Sequence, residues 1–195
     1  MNIKYLSDFL VPVHLALLLG SLYLTGEGST KALPHYDRVL LLEASSETSA
    51  NVELGDVNAD GHLDVILGKG RHWPLVNRVL LGNGKGGFSN TYDLGPASNR
   101  TYSGALVDLD GDKDLDVVVS NDRPDENLIY LNDGRGRFEV ASKFGQTSWS
   151  TRYICTADMN EDGFPDIIVA NRGSRRASPN YICINNGSGK FDTEC

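Results

Sequence analysis

Three copies of an acidic nine-residue loop, each running straight into a short apolar segment, constrain this chain more than any other feature. They are DVNADGHLD at 56–64, DLDGDKDLD at 108–116 and DMNEDGFPD at 158–166. Oxygen-bearing side chains recur at positions 1, 3, 5 and 9. In the first loop these are Asp56, Asn58, Asp60 and Asp64. The second has Asp108, Asp110, Asp112 and Asp116, and the third has Asp158, Asn160, Asp162 and Asp166. Carboxylates this dense repel one another unless a cation sits among them, and closely spaced hard oxygen donors are what Ca²⁺ takes. The loops start 52 and 50 residues apart. Periods of that size belong to propeller blades, solenoids or arrays.

The rest of the unit repeats in register. After the loops come DVILG, DVVVS and DIIVA. A variable stretch follows, then NRVLLGNGKGGF (77–88), NLIYLNDGRGRF (127–138) and NYICINNGSGKF (180–191). Each unit reads as four short strands. One precedes the acidic loop, one follows it, the third lies in the Asn-led segment, and the fourth opens at Phe88, Phe138 or Phe191. Val, Ile, Leu and Tyr suit pleated, half-buried strands. The Gly-rich turns supply residues that tolerate the left-handed backbone of tight hairpins. No helical period emerges, so the expected class is all-β, with antiparallel four-stranded meanders like propeller blades. The expected repeats span 36–87, 88–137 and 138–190, with the start of a fourth after them.

The order D-x-[DN]-x-D-G-x-x-D, apolar strand, N-x-h-x-x-N-x-G-x-G-x-F resembles the FG-GAP/VCBS repeat family, which includes the propeller of integrin α chains. The resemblance covers about 36–195. It implies seven-bladed propellers with Ca²⁺ in the loop joining strands 1 and 2, and roles in extracellular binding or adhesion. Three blades are fewer than a closed ring uses, since propellers have about 4–8. The sequence is therefore expected to be an incomplete part of such a propeller.

Up to three structural Ca²⁺ ions are expected, one per loop. Position 7 is His62, Asp114 and Phe164. Calcium loops usually offer a backbone carbonyl there, so these residues complete the candidate ligand set. An EF-hand would need flanking helices and a bidentate Glu at position 12, where this chain has Leu67, Val119 and Val169. The second loop departs from its siblings, with Lys113 in place of Gly61 and Gly163. A non-Gly residue in a left-handed conformation costs about 1 kcal/mol, and its ammonium repels a cation. Asp114 offsets that charge, but the second site is still expected to be the weakest.

The formal net charge is −8, and bound Ca²⁺ would cancel most of it. So acidic a chain is no candidate for nucleic acid, whose phosphates want a basic surface. Residues 1–28 read as a signal peptide or short apolar segment, and 29–35 as a linker. Lys4 forms a thin positive start, and the apolar run is shorter than the roughly 20 residues of a bilayer span. No stable membrane span is expected, and the localisation is secreted or cell surface. Cys155 and Cys183 fall on strands 1 and 3 of one blade. Two inter-strand steps of about 4.8 Å separate them, beyond a disulfide's usual reach. Both are expected as small buried apolar residues, with Cys195 left to pair outside this sequence.

The variable connections 69–76, 120–126 and 171–179, with 95–100 and 145–150, should emerge at the strand ends away from the acidic loops. Strand counting gathers Arg71, Trp73, Arg123, Trp149, Arg172, Arg175 and Arg176 on that rim. Trp and Arg are frequent binding anchors. The expected function is calcium-stabilised binding or adhesion without catalysis, with a protein or glycan as ligand. Two alternatives are the non-catalytic portion of a secreted polysaccharide-active enzyme and a purely structural spacer.

Overall fold

This computed structural model describes residues 39–173, 178–191 and 195. The expected N-terminal apolar segment and linker lie outside them. All the strands belong to one compact unit, Leu40–Cys195. No helix occurs among the described residues, and none is long and apolar enough to cross a membrane.

Three antiparallel sheets make up the unit. The first holds β1 (Ser49–Gly55), β2 (Asp64–Lys69), β3 (Leu75–Gly82) and β4 (Phe88–Asn99) in that order. In the second, β5 (Thr101–Val107), β6 (Asp116–Asn121), β7 (Asn127–Asn132) and β8 (Phe138–Phe144) follow the same order. The third has β9 (Thr151–Ala157), β10 (Asp166–Asn171) and β11 (Tyr181–Cys183). The acidic loops join β1 to β2, β5 to β6 and β9 to β10. Each sheet thus opens one strand later than the sequence repeat, whose leading Phe starts a fourth strand. In the third sheet no strand is found at Phe191 among the described residues.

Packing explains the unbroken apolar runs. The second strand of each sheet lies between two partners, and in the middle sheet a neighbouring sheet presses on each of its faces. All six residues of β6 are buried. Its Val117 and Val119 point at the first sheet, packing with Ile66, Val79 and Leu94. Val118, one residue out of phase, points the other way, into a cluster with Ile154, Ile167 and Val169 of the third sheet. A strand buried on both faces reads as a continuous run, not an alternating one. Each such side chain contributes about 1.5–3 kcal/mol relative to exposure.

The two asparagines of the N-x-h-x-x-N segment have separate duties. The first closes the connection from strand 2. Asn77 Oδ1 accepts from Lys69 N at 2.8 Å, Asn127 Oδ1 from Asn121 N at 2.8 Å, and Asn180 Oδ1 from Asn171 N at 2.9 Å. The second ties one sheet to the next. Asn132 Nδ2 donates to Val57 O of the first acidic loop at 2.8 Å. In register with it, Asn185 Nδ2 donates to Leu109 O of the second loop at 2.8 Å. The first sheet has Gly82 at this place.

Three expectations change. The 95–100 connection shortens, because β4 continues to Asn99 through a break in pairing near Gly95, whose φ is 70°. Such irregularities let a strand bend and carry on. Cys183 is buried but bonded to Cys195, with Cα atoms 4.4 Å apart. Cys155 is a free, exposed thiol. Strand counting correctly separates Cys155 from Cys183, but it cannot show that Cys195 bonds to Cys183 on β11.

Candidate metal centres

Each acidic loop is organised by its own carboxylates. In the first, Asp56 accepts from Asp60 N at 3.2 Å and Gly61 N at 2.8 Å, and Asn58 Oδ1 accepts from Asp60 N at 3.1 Å. Asp60 accepts from His62 N at 2.9 Å. The third loop repeats the set. Asp158 takes Asp162 N at 3.1 Å and Gly163 N at 2.9 Å, Asn160 takes Asp162 N at 3.1 Å, and Asp162 takes Phe164 N at 2.9 Å. In the second, Asp108 takes Gly111 N at 2.7 Å and Lys113 N at 3.1 Å. There Asp110 accepts from Asp112 N at 3.3 Å and Asp112 from Asp114 N at 3.1 Å. Side chains at positions 1, 3 and 5 are thereby turned inward over the loop.

The position-9 aspartates differ from the rest by being buried: Asp64, Asp116 and Asp166 are at most 1% exposed. Each bridges two backbone amides. Asp64 accepts from Val57 N at 2.9 Å and Gly82 N at 2.7 Å. Asp116 accepts from Leu109 N and Asn132 N, both at 2.9 Å. Asp166 accepts from Met159 N at 2.9 Å and Asn185 N at 2.8 Å. One carboxylate thus pins the loop to the end of strand 3. Each oxygen keeps a second lone pair for a cation.

Fit to Ca²⁺ is clearest in the second loop. Asp108, Asp110 and Asp116 bring one oxygen each within 4.8 Å of one another. Asp114 Oδ1 is buried without a donor among the described residues. Burial, then the carboxylates of Asp112, Asp110 and Asp108, lift the Asp114 pKa to about 6. Burial also raises Asp116 to about 7, against the pull of the Asn132 and Leu109 amides and with help from Asp110 and Asp114. Concentrated negative charge and an all-oxygen donor set suit a hard cation. In the first and third loops an asparagine replaces Asp110. Asn58 Nδ2 donates to Asp60 Oδ2 at 3.0 Å, and Asn160 Nδ2 to Asp162 Oδ2 at 2.9 Å.

Position 7 has a packing role that sequence reading did not reveal. Its side chains lie against an equivalent hairpin glycine in each unit. A Cβ on Gly84 would come within 2.5 Å of the His62 ring, one on Gly187 within 2.6 Å of the Phe164 ring, and one on Gly134 within 3.3 Å of Asp114. The glycine of the N-x-G-x-G turn therefore makes room for the loop's seventh residue.

Backbone strain is shared evenly. Lys113 is left-handed, with φ 77°, where Gly61 and Gly163 are. At position 4 the roles reverse: Gly111 stands where Ala59 and Glu161 adopt φ of 58° and 62°. Every loop carries one glycine and one non-glycine at its two left-handed positions.

The rim assembles only in part. Arg123 and Arg172 line one cavity, and Trp73 is 69% exposed. Arg71 lies 5.8 Å from the Tyr102 ring centre. Trp149 is not on the rim but in the core, 8% exposed and stacked on Tyr181 at 4.3 Å. A left-handed turn at Gly145 directs it inward; a Cβ there would fall 2.3 Å from the indole. Arg175 and Arg176 lie outside the described residues.

The sequence profile of the FG-GAP-like repeat matches residues 56–119 and again 108–169. Each match begins at position 1 of an acidic loop and ends on the second strand of the next sheet. No curated protein matches the chain. With two overlapping matches that together span more than half its length, the chain belongs to the FG-GAP-like repeat family.

Proposed function

We propose that this chain is a calcium-stabilised, non-catalytic binding module that works outside the cell or at its surface. The observation that carries this reading is the repeated loop: three times, amides of the loop backbone hold oxygen-bearing side chains inward at positions 1, 3 and 5. Asp108, Asp110 and Asp116 form the tightest oxygen cluster. Ca²⁺ would neutralise these charges and fix the turn between the first two strands of each blade. The ion's role is structural, because the buried aspartates already bind the backbone of two elements and none is paired with a nucleophile.

The Cys183–Cys195 disulfide supports an oxidising compartment. A ligand, protein or glycan, would meet the strand ends away from the loops, where arginine and aromatic side chains collect. Thermal unfolding of the full chain tests the reading. Anything that binds the folded state alone raises its melting temperature by mass action. Calcium should raise it over a chelator control, and magnesium should raise it less. Identical melting in calcium and chelator would refute the proposal.

A further inference from the structure

A basic cavity sits at the joint of the second and third sheets, at the strand ends away from the acidic loops. Its volume is about 130 Å³, and Asp122, Arg123, Ser150, Arg152, Arg172 and Gly173 line it. The residues come from the β6–β7, β8–β9 and β10–β11 connections and, for Arg152, from β9, which only the sheet stacking brings together. Three arginines face one carboxylate here, in a chain whose net charge is −8.

The carboxylate is already committed. Asp122 accepts from Arg152 Nη2 at 2.9 Å and from the Ser150 hydroxyl. Burial opposes its ionisation, yet the hydrogen bonds from Arg152 and Ser150 hold its pKa below the usual carboxylate value. Arg152 is fixed on its other side as well, with its guanidinium carbon 3.8 Å from the Tyr102 ring centre. Its Nη1 is buried and has no acceptor among the described residues. Arg123 and Arg172 are exposed and make no ion pair with a described residue. One arginine is therefore preorganised with a donor to spare, and two more stand at the rim. That arrangement suits a compact oxyanion, which guanidinium groups recognise through paired donors.

Tyr102 extends the site sideways. Its hydroxyl lies 3.2 Å from His72 Nδ1, and the neighbouring Trp73 is 69% exposed. An aromatic ledge beside an anion pocket suits a saccharide, whose C–H face packs on a ring while its acidic substituent enters the cavity. An acidic peptide would use the arginines but make no use of the aromatic surface at Tyr102 and His72.

We infer that the Arg123/Arg152/Arg172 cavity, with Tyr102 beside it, binds the carboxylate or sulfate of an acidic glycan. The inference rests on the binding-module reading and names its ligand class. The test uses the full chain in calcium buffer and four probes: an oligogalacturonate, a sulfated oligosaccharide, a neutral oligosaccharide of equal length and an oligoglutamate. Binding is measured for wild type, Arg172→Glu, Arg123→Ala and Lys85→Glu, a charge reversal in the β3–β4 hairpin at the acidic-loop end.

At least one acidic saccharide should bind, more weakly as salt rises, and the uronate and sulfate arms show which group fills the cavity. Arg172→Glu should weaken it about tenfold or more, and Lys85→Glu far less. Both rim arginines are exposed, so their loss should leave the fold intact, which circular dichroism checks. Equal binding by wild type and Arg172→Glu overturns the inference, as does a preference for oligoglutamate or for the neutral sugar. If no saccharide binds while calcium still raises the melting temperature, the glycan site falls and the calcium reading stands.

Discussion

Among the acidic residues, burial separates two kinds that the sequence pattern writes identically. Asp166 is fully buried and satisfies two amides from different elements. Asp162 is exposed and works inside its own loop. Without calcium, Asp166→Ala should cost about 3 kcal/mol, since charge-assisted hydrogen bonds are worth roughly 1.5–3 kcal/mol and their donors stay buried. Asp162→Ala should leave calcium-free melting unchanged and cancel calcium's effect at the third loop. Denaturant unfolding in chelator, with and without added calcium, separates the two. The left-handed positions give a second test. Lys113→Gly should stabilise the chain by up to about 1 kcal/mol, and Gly111→Ala should cost a similar amount. The lone Lys113 is visible in the sequence, but that Gly111 compensates for it is not, because nothing there marks position 4 as left-handed. Ala59 and Glu161 are unremarkable letters until their φ angles are known.

For the elements, the repeat made the strands legible and the joints invisible. Apolar runs after each loop place β2, β6 and β10 almost to the residue, because a central strand that is largely buried reads as a continuous apolar run. Which sheet Val118 faces, and which loop Asn185 reaches, depends on stacking that no single repeat encodes. Trp149 shows the limit most plainly. Its sequence context looks like a surface turn, and only the flat approach to Gly145 takes it into the core. The asparagine joints carry their own prediction. Asn185 is fully buried and donates to Leu109 O and Pro165 O at 2.8 and 3.1 Å. Asn185→Ala should cost about 2 kcal/mol by stranding buried carbonyls. It should also loosen the second acidic loop, although the substitution lies in the third sheet. Hydrogen exchange at Leu109 and its neighbours reads that coupling. Exchange faster only in the third sheet would argue against the joint.

At the scale of the whole molecule, three stacked sheets leave apolar side chains uncovered at both ends of the stack. Val52 and Leu54 of β1 are 47% and 58% exposed, and Tyr153 of β9 and Ile182 of β11 are 60% and 43% exposed. Apolar surface gathered in this way favours association. The purified chain should therefore self-associate with rising concentration in sedimentation velocity, and Tyr153→Lys should weaken that tendency. A monomer at all concentrations would show that these faces are covered within the chain. The central claim is that one repeated loop makes one repeated metal site. Isothermal titration of the calcium-stripped full chain with CaCl₂ tests it most directly. The account predicts about three sites, falling by one in each of Asp60→Ala, Asp112→Ala and Asp162→Ala. No calcium-dependent heat, or a stoichiometry that these substitutions leave unchanged, would contradict it.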